Sequence, residues 1–107
     1  MRLVVREKVW QRILMNYQWC KDLYGEVIAR HFYEKVKRNI DRLIVFPFIG
    51  RREGLLVHRP YDYRSLSIHS HFRLIYYVDE AKSEIHVVDF WDMRQDPASL
   101  VEGFAEE

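Results

Sequence analysis

The chain has 107 residues, 17 Lys and Arg against 16 Asp and Glu, and is 49% hydrophobic. At roughly 100–200 residues per domain this is one domain, too short for a two-domain enzyme or for a barrel of about 200 residues. The apolar share excludes disorder by composition, and no apolar run approaches the roughly 18 residues of a membrane span; the longest, Leu43–Ile49, is broken by Pro47.

The elements follow in chain order. Arg2–Arg6 reads as a short strand around Leu3, Val4 and Val5. A helical period then places Val9, Ile13, Tyr17, Cys20 and Tyr24 on one face, widened by Trp10 and Leu14, with Gly25 as its stop. A second period places Ile28, Phe32, Val36, Ile40 and Leu43 together and ends at Pro47. So short a link between two helices predicts an antiparallel hairpin. Gly50–Pro60 reads as a loop with a short strand at Leu55–Val57. Three β-like runs follow, Tyr63–Ile68, Phe72–Val78 and Ile85–Trp91, joined by short polar links. Pro97 closes the sheet, and Ser99–Glu107 is a short helix or a fraying end. The expected fold class is α+β. An N-terminal helical hairpin packs on a twisted, mostly antiparallel sheet in the order β-α-α-β-β-β. It fills one domain over residues 1–107, with an acidic tail from about residue 98 to the last residue.

Charge is unevenly placed. Residues 1–78 carry 15 Lys and Arg against 7 Asp and Glu, a net of +8, and residues 79–107 carry 2 against 9, a net of −7. A cationic body attracts nucleic acid or an acidic protein, or the two ends neutralise one another across the fold. Charges at Arg2, Arg6, Glu7 and Lys8 argue against a signal peptide, and one cysteine, Cys20, allows no intrachain disulfide. Together they predict a soluble cytoplasmic protein. Cys20, on the apolar helix face, is expected to be buried and inert. His31, His58 and His86 show no metal-ligand spacing, so neither a metal site nor a cofactor is expected.

Four segments carry a resemblance. Phe46-Pro-Phe-Ile-Gly-Arg51 is similar to a proline–x–x–glycine–arginine turn, and Tyr63-Arg-Ser-Leu66 to a strand bearing an arginine. Phe72-Arg-Leu-Ile-Tyr-Tyr-Val-Asp79 is similar to a tyrosine–arginine–aliphatic–aliphatic–tyrosine strand, and Phe90–Pro97 to a last strand ending in an arginine. In this order and spacing they resemble the RelE/ParE superfamily of bacterial type II toxin–antitoxin toxins. The resemblance implies an antitoxin partner whose C-terminal segment wraps the toxin, with oligomers built through it. It also implies one of two targets, mRNA in the ribosome for RelE-like members or DNA gyrase for ParE-like ones. Three departures from the RelE pattern favour the ParE-like branch. Ungapped alignment puts Ile68 where a catalytic arginine would fall, Gln95–Phe104 holds no tyrosine, and the chain is weakly basic. A degenerate member that binds only its antitoxin is the third alternative.

Metal-free RNA cleavage divides proton transfer and phosphate stabilisation among Arg, Lys, His and Tyr. In a nuclease the catalytic candidates are Arg64, Arg73, Arg94 and His69. For target or antitoxin binding they are Arg64, Arg94, Trp91, Tyr63 and His71. Arg73 has the opposite strand parity to Phe72, Leu74 and Tyr76, so an ion pair with Asp89 or Asp92 is equally open to it. Tyr76 is expected in the core.

Overall fold

A computed structural model describes residues 1–57, 59–69 and 71–103, the side chains of His69 and Glu102 excepted. The elements are β1 (Arg2–Val5), α1 (Glu7–Tyr24), α2 (Glu26–Val45), β2 (Arg51–Arg52), a 3-10 turn (Gly54–Leu56), β3 (Arg64–His69), β4 (Phe72–Asp79), β5 (Glu84–Asp92) and α3 (Pro97–Gly103). The α+β class and the helical hairpin are as the sequence predicts. No helix among the described residues is long and apolar enough to cross a membrane.

Gly25 makes the hairpin possible. Its φ of +91° is costly for any residue with a Cβ. From that conformation its N–H donates to the Lys21 carbonyl, ending α1, and its carbonyl accepts from Ala29 N–H, opening α2. The helices then pack on the sheet over only part of their length. In α1 the buried residues are Val9 and Ile13; in α2 they are Ala29, Val36, Asn39, Ile40 and Leu43. The hairpin tip therefore projects beyond the sheet, leaving Trp19, Leu23, Tyr24, Val27 and Ile28 exposed. The sequence periods run the apolar stripe through that tip, where Trp19 and Tyr24 meet edge to face and stay exposed.

The sheet order is β1-β5-β4-β3-β2. β1 is parallel to β5, and the other pairs are antiparallel. The helical hairpin carries the chain from β1 to β2 at the far edge, and β3 and β4 bring it back to lay β5 parallel beside β1. Between Ile75 and Tyr76 the β4–β5 register shifts, so Val88 is the extra residue of a bulge. The bulge turns both Asp89 and Phe90 toward the helices, where Asp89 pairs with Arg12 and Phe90 packs on Phe32.

The expected strand at Leu55–Val57 is absent. That segment is the 3-10 turn, in which Glu53 Oε1 accepts from Leu55 N–H at 3.3 Å and Leu56 alone is buried. The strand falls earlier, at Arg51–Arg52, where the backbone pairs with Arg64 and Ser65.

Each sheet face has its own core. The helix face joins Val9, Ile13, Val36, Ile40 and Leu43 to Leu66, Leu74, Tyr76 and the stacked Phe72–Phe90 pair, 4.8 Å apart. The opposite face gathers Leu56, Tyr63, Ile75, Tyr77, Trp91 and Leu100 under the 3-10 turn and α3. Tyr76 lies in the first core, as expected, with no exposure. Its hydroxyl accepts from Gly50 N–H at 2.8 Å. Gly50 is required there, since a Cβ would stand 2.6 Å from that hydroxyl and 2.8 Å from the Ser65 carbonyl oxygen. Burial pushes the Tyr76 phenol up, against a lowering by the Gly50 contact and by Arg64.

Candidate functional site

The three arginines singled out in the sequence occupy three different surroundings. Arg64 starts β3 on the helix face, opposite Tyr76. Its Nη1 donates to the Gly50 carbonyl at 2.8 Å, and its guanidinium lies 5.1 Å from the Phe48 ring centroid. Arg64 thus fixes the Phe46–Gly50 turn and ends beside two exposed rings, Phe46 and Phe48.

Arg73 points to the opposite face, as strand parity predicts. Its partner is neither Asp89 nor Asp92. Nη1 meets Glu53 Oε2 at 3.2 Å, in a pair whose carboxylate side chain is only 4% accessible. Asp89 belongs to Arg12, and Asp92 to Arg94. Among the described residues Arg73 Nε, which is buried, finds no hydrogen-bond partner. Such an arginine clamps the turn before β3 to the middle of the sheet.

Arg94 follows β5 and forms a fork on Asp92. Nε is 3.0 Å from Oδ1 and Nη2 is 2.9 Å from Oδ2. The fork holds the Asp92 carboxyl below its usual range and pushes Arg94 up. The guanidinium lies 6.0 Å from the Phe72 centroid. It stands between two depressions that share Asn16, Trp19 and Arg94. One, of about 410 Å³, runs beneath the hairpin tip past Ile28, His31, Phe32 and His71. The other, of about 450 Å³, opens toward Arg12, Met15 and Gln95. Together they form an amphipathic groove between the projecting tip and the end of β5. Trp19, 53% exposed, lines both depressions.

The remaining candidates separate. His71 is exposed at the groove, where its charge helps lower Asp92. Tyr63 and Trp91, expected as binding residues, are 2% and 5% exposed and pack in the second core. Tyr63 takes no part in the groove, whereas Trp91 also lines its second depression. The His69 side chain and His58 lie outside the described residues. Cys20, expected to be buried, is half-buried and lines the groove, because α1 has passed the sheet edge at that point. Sequence reasoning missed Trp19. Its signal was an aromatic residue outside an apolar stripe that was already complete.

Sequence reasoning also missed a cluster on the opposite face. Asp79, Glu84 and His86 meet at the turn end of the β4–β5 hairpin, although His86 looks isolated in the sequence. Pairing brings them together: Asp79 lies opposite Glu84, and His86 is two residues along the same face. Burial raises the Glu84 carboxyl, but hydrogen bonds from Arg2 and His86 outweigh it and hold the group below its usual range.

Comparison with known proteins places this arrangement. The family model described as the ParE toxin of the type II toxin–antitoxin system parDE matches residues 17–97. Among solved structures, a chromosomal ParDE system from P. aeruginosa is similar at a TM-score of 0.69 and 17% identity, over 86% of this chain and 95% of that one. A YoeB/ParE toxin from Agrobacterium tumefaciens is similar at a TM-score of 0.56 and 20% identity, over 86% of this chain and 98% of that one. No curated protein matches. The two structural likenesses carry the fold, and the family match spans well over half of the chain: the chain belongs to the ParE toxin family of type II toxin–antitoxin systems.

Proposed function

We propose that this toxin inhibits growth by binding a protein target in the bacterial cytoplasm, DNA gyrase being the candidate, and not by cutting RNA. The observation that carries the reading is the separation of the three arginines. Cleaving a phosphodiester needs base, acid and charge stabiliser within reach of one phosphate. Arg73 lies on the opposite sheet face from the other two and is spent on Glu53. Arg64 and Arg94 are level with Tyr76 and Phe72, four residues apart on β4, or roughly 13 Å along the strand. The α2 core fills the space between them. What is left exposed is an amphipathic groove whose apolar lining is edged by Arg12, Lys35 and Arg94, a form suited to an amphipathic peptide.

In this reading the antitoxin fills that groove. Acidic side chains meet Arg94 and His71, and apolar ones cover Trp19 and Ile28. Larger assemblies form through the antitoxin. The test is brief induction of the chain alone with pulse labelling of DNA and protein synthesis in one culture. DNA synthesis stopping first is the expected result. Protein synthesis stopping first, with mRNA cuts that vanish in Arg94→Ala, would replace the reading with ribosome-dependent cleavage. No growth defect from soluble, folded protein would leave antitoxin binding alone.

A further inference from the structure

We propose that Asp79, Glu84 and His86 form a binding site for a divalent transition-metal ion of the zinc type, on the sheet face opposite the groove. One ligand atom from each residue lies within 4.8 Å of the other two. Glu84 Oε1 and His86 Nε2 are already 3.2 Å apart, close to the separation of neighbouring ligands around an ion bound at about 2.0–2.2 Å. Asp79 accepts Lys82 N–H at Oδ1, 3.1 Å, and has a second oxygen to offer.

The histidine is held in place before any ion arrives. Its ring stacks on Tyr77 at 4.8 Å and 3°, and Tyr77 stacks on Tyr61 at 4.0 Å and 11°. This three-ring pile fixes the imidazole plane, so little side-chain entropy remains to be lost on binding. One imidazole and two carboxylates suit zinc, cobalt, nickel or manganese better than magnesium, which prefers oxygen and water. Three protein ligands leave a position for water.

The rival cation is Arg2, whose guanidinium is hydrogen-bonded to Glu84 Oε2. The ion takes the opposite oxygen, at the cost of the His86–Glu84 hydrogen bond. The imidazole then binds through Nε2 in its Nδ1–H tautomer. A bound ion would brace the β4–β5 hairpin end beside the parallel strand β1.

The experiment is titration of the full chain with zinc chloride by calorimetry, with a parallel thermal melt. One ion per chain and a raised Tm are expected. Asp79→Asn and His86→Gln should each weaken binding by more than the roughly 10–100-fold that loss of an outer-sphere partner costs. Arg2→Ala should tighten it, and His71→Asn should leave it unchanged. Circular dichroism checks folding; if His86→Gln is unfolded, Asp79→Asn decides, since Asp79 is only half-buried at the hairpin end. No zinc binding, binding unaltered in a folded Asp79→Asn chain, or binding lost in His71→Asn would overturn the site.

Discussion

The two faces of one sheet are built on different terms. The helix face is aliphatic and phenylalanine-rich, sealed by α1 and α2 over its centre. The opposite face counts two tyrosines and a tryptophan among its seven core residues, carries the Glu53–Arg73 pair, and among the described residues is covered by one 3-10 turn and α3. The same β4 supplies both, Leu74 and Tyr76 to one side, Arg73, Ile75 and Tyr77 to the other. Alternation alone thus separates a stabilising surface from one held by specific polar contacts. The exposed groove belongs to the first face, at the place where its cover overshoots the sheet.

Cavity substitutions give the largest effect. Leu74→Ala should cost about 2–5 kcal/mol in chemical denaturation, and Ile75→Ala less, because the thinner cover of its face can settle or admit water. Equal losses would break the distinction between the faces. Next comes Arg73→Met, which leaves the buried Glu53 carboxylate without its cation. A loss of about 2–3 kcal/mol is expected, under the full cost for a sealed pair because Arg73 is 19% accessible. Converting Glu53 to Gln in the same chain should recover much of it.

Gly50→Ala should cost about 1–3 kcal/mol through the clash with Tyr76 and Ser65. Adding Tyr76→Phe removes the hydroxyl but not the Ser65 carbonyl, so only partial rescue is expected. In alkali the second face should titrate late. Burial and the Tyr61 hydroxyl push the Tyr77 phenol up to about 12. Its folded pKa stands above the unfolded value near 10, so its contribution is complete below pH 10 and is lost as pH rises toward 12. Tyr77→Phe should flatten that limb of a stability–pH curve, and an unchanged limb would assign the shift elsewhere.

The smallest effect on stability is expected at the groove. Arg94→Ala removes an exposed, solvent-screened ion pair and should leave stability nearly unchanged, yet should weaken antitoxin binding measurably in a pull-down or calorimetric assay. Asp92 is held below its usual pKa, so its share of stability is present above pH 4 and fades as pH falls through the folded value. Asp92→Asn should remove that acid slope.

Much of this fold is readable in the sequence. The two helical periods locate α1 and α2 to within a few residues, because a helix buried on one side has to repeat its apolar residues. Alternation at Phe72–Val78 gives the correct side for Arg73 and Tyr76. The misread segment was Leu55–Val57, where three apolar residues look like a strand although a capped turn buries only Leu56. The candidate site was less legible. Arg94 and His71 reach the groove, but Tyr63 and Trp91 are core, because residue type does not reveal which face a strand shows to solvent. The Asp79–Glu84–His86 cluster needs strand register, which only the folded hairpin supplies.

The pairing of β1 with β5 sets the order in which this chain can be completed during synthesis. Arg2 meets Glu84 across 82 residues of sequence. The helical hairpin consists of local contacts and can form early, but β1 has no neighbour until Glu84–Val87 has left the ribosome. The nascent chain therefore carries an unpaired strand beside a half-covered hairpin until β5 emerges. Sheet and groove are finished almost together, once β5 has emerged, so a chain that stalls before β5 lacks both the edge its first strand needs and one wall of the groove.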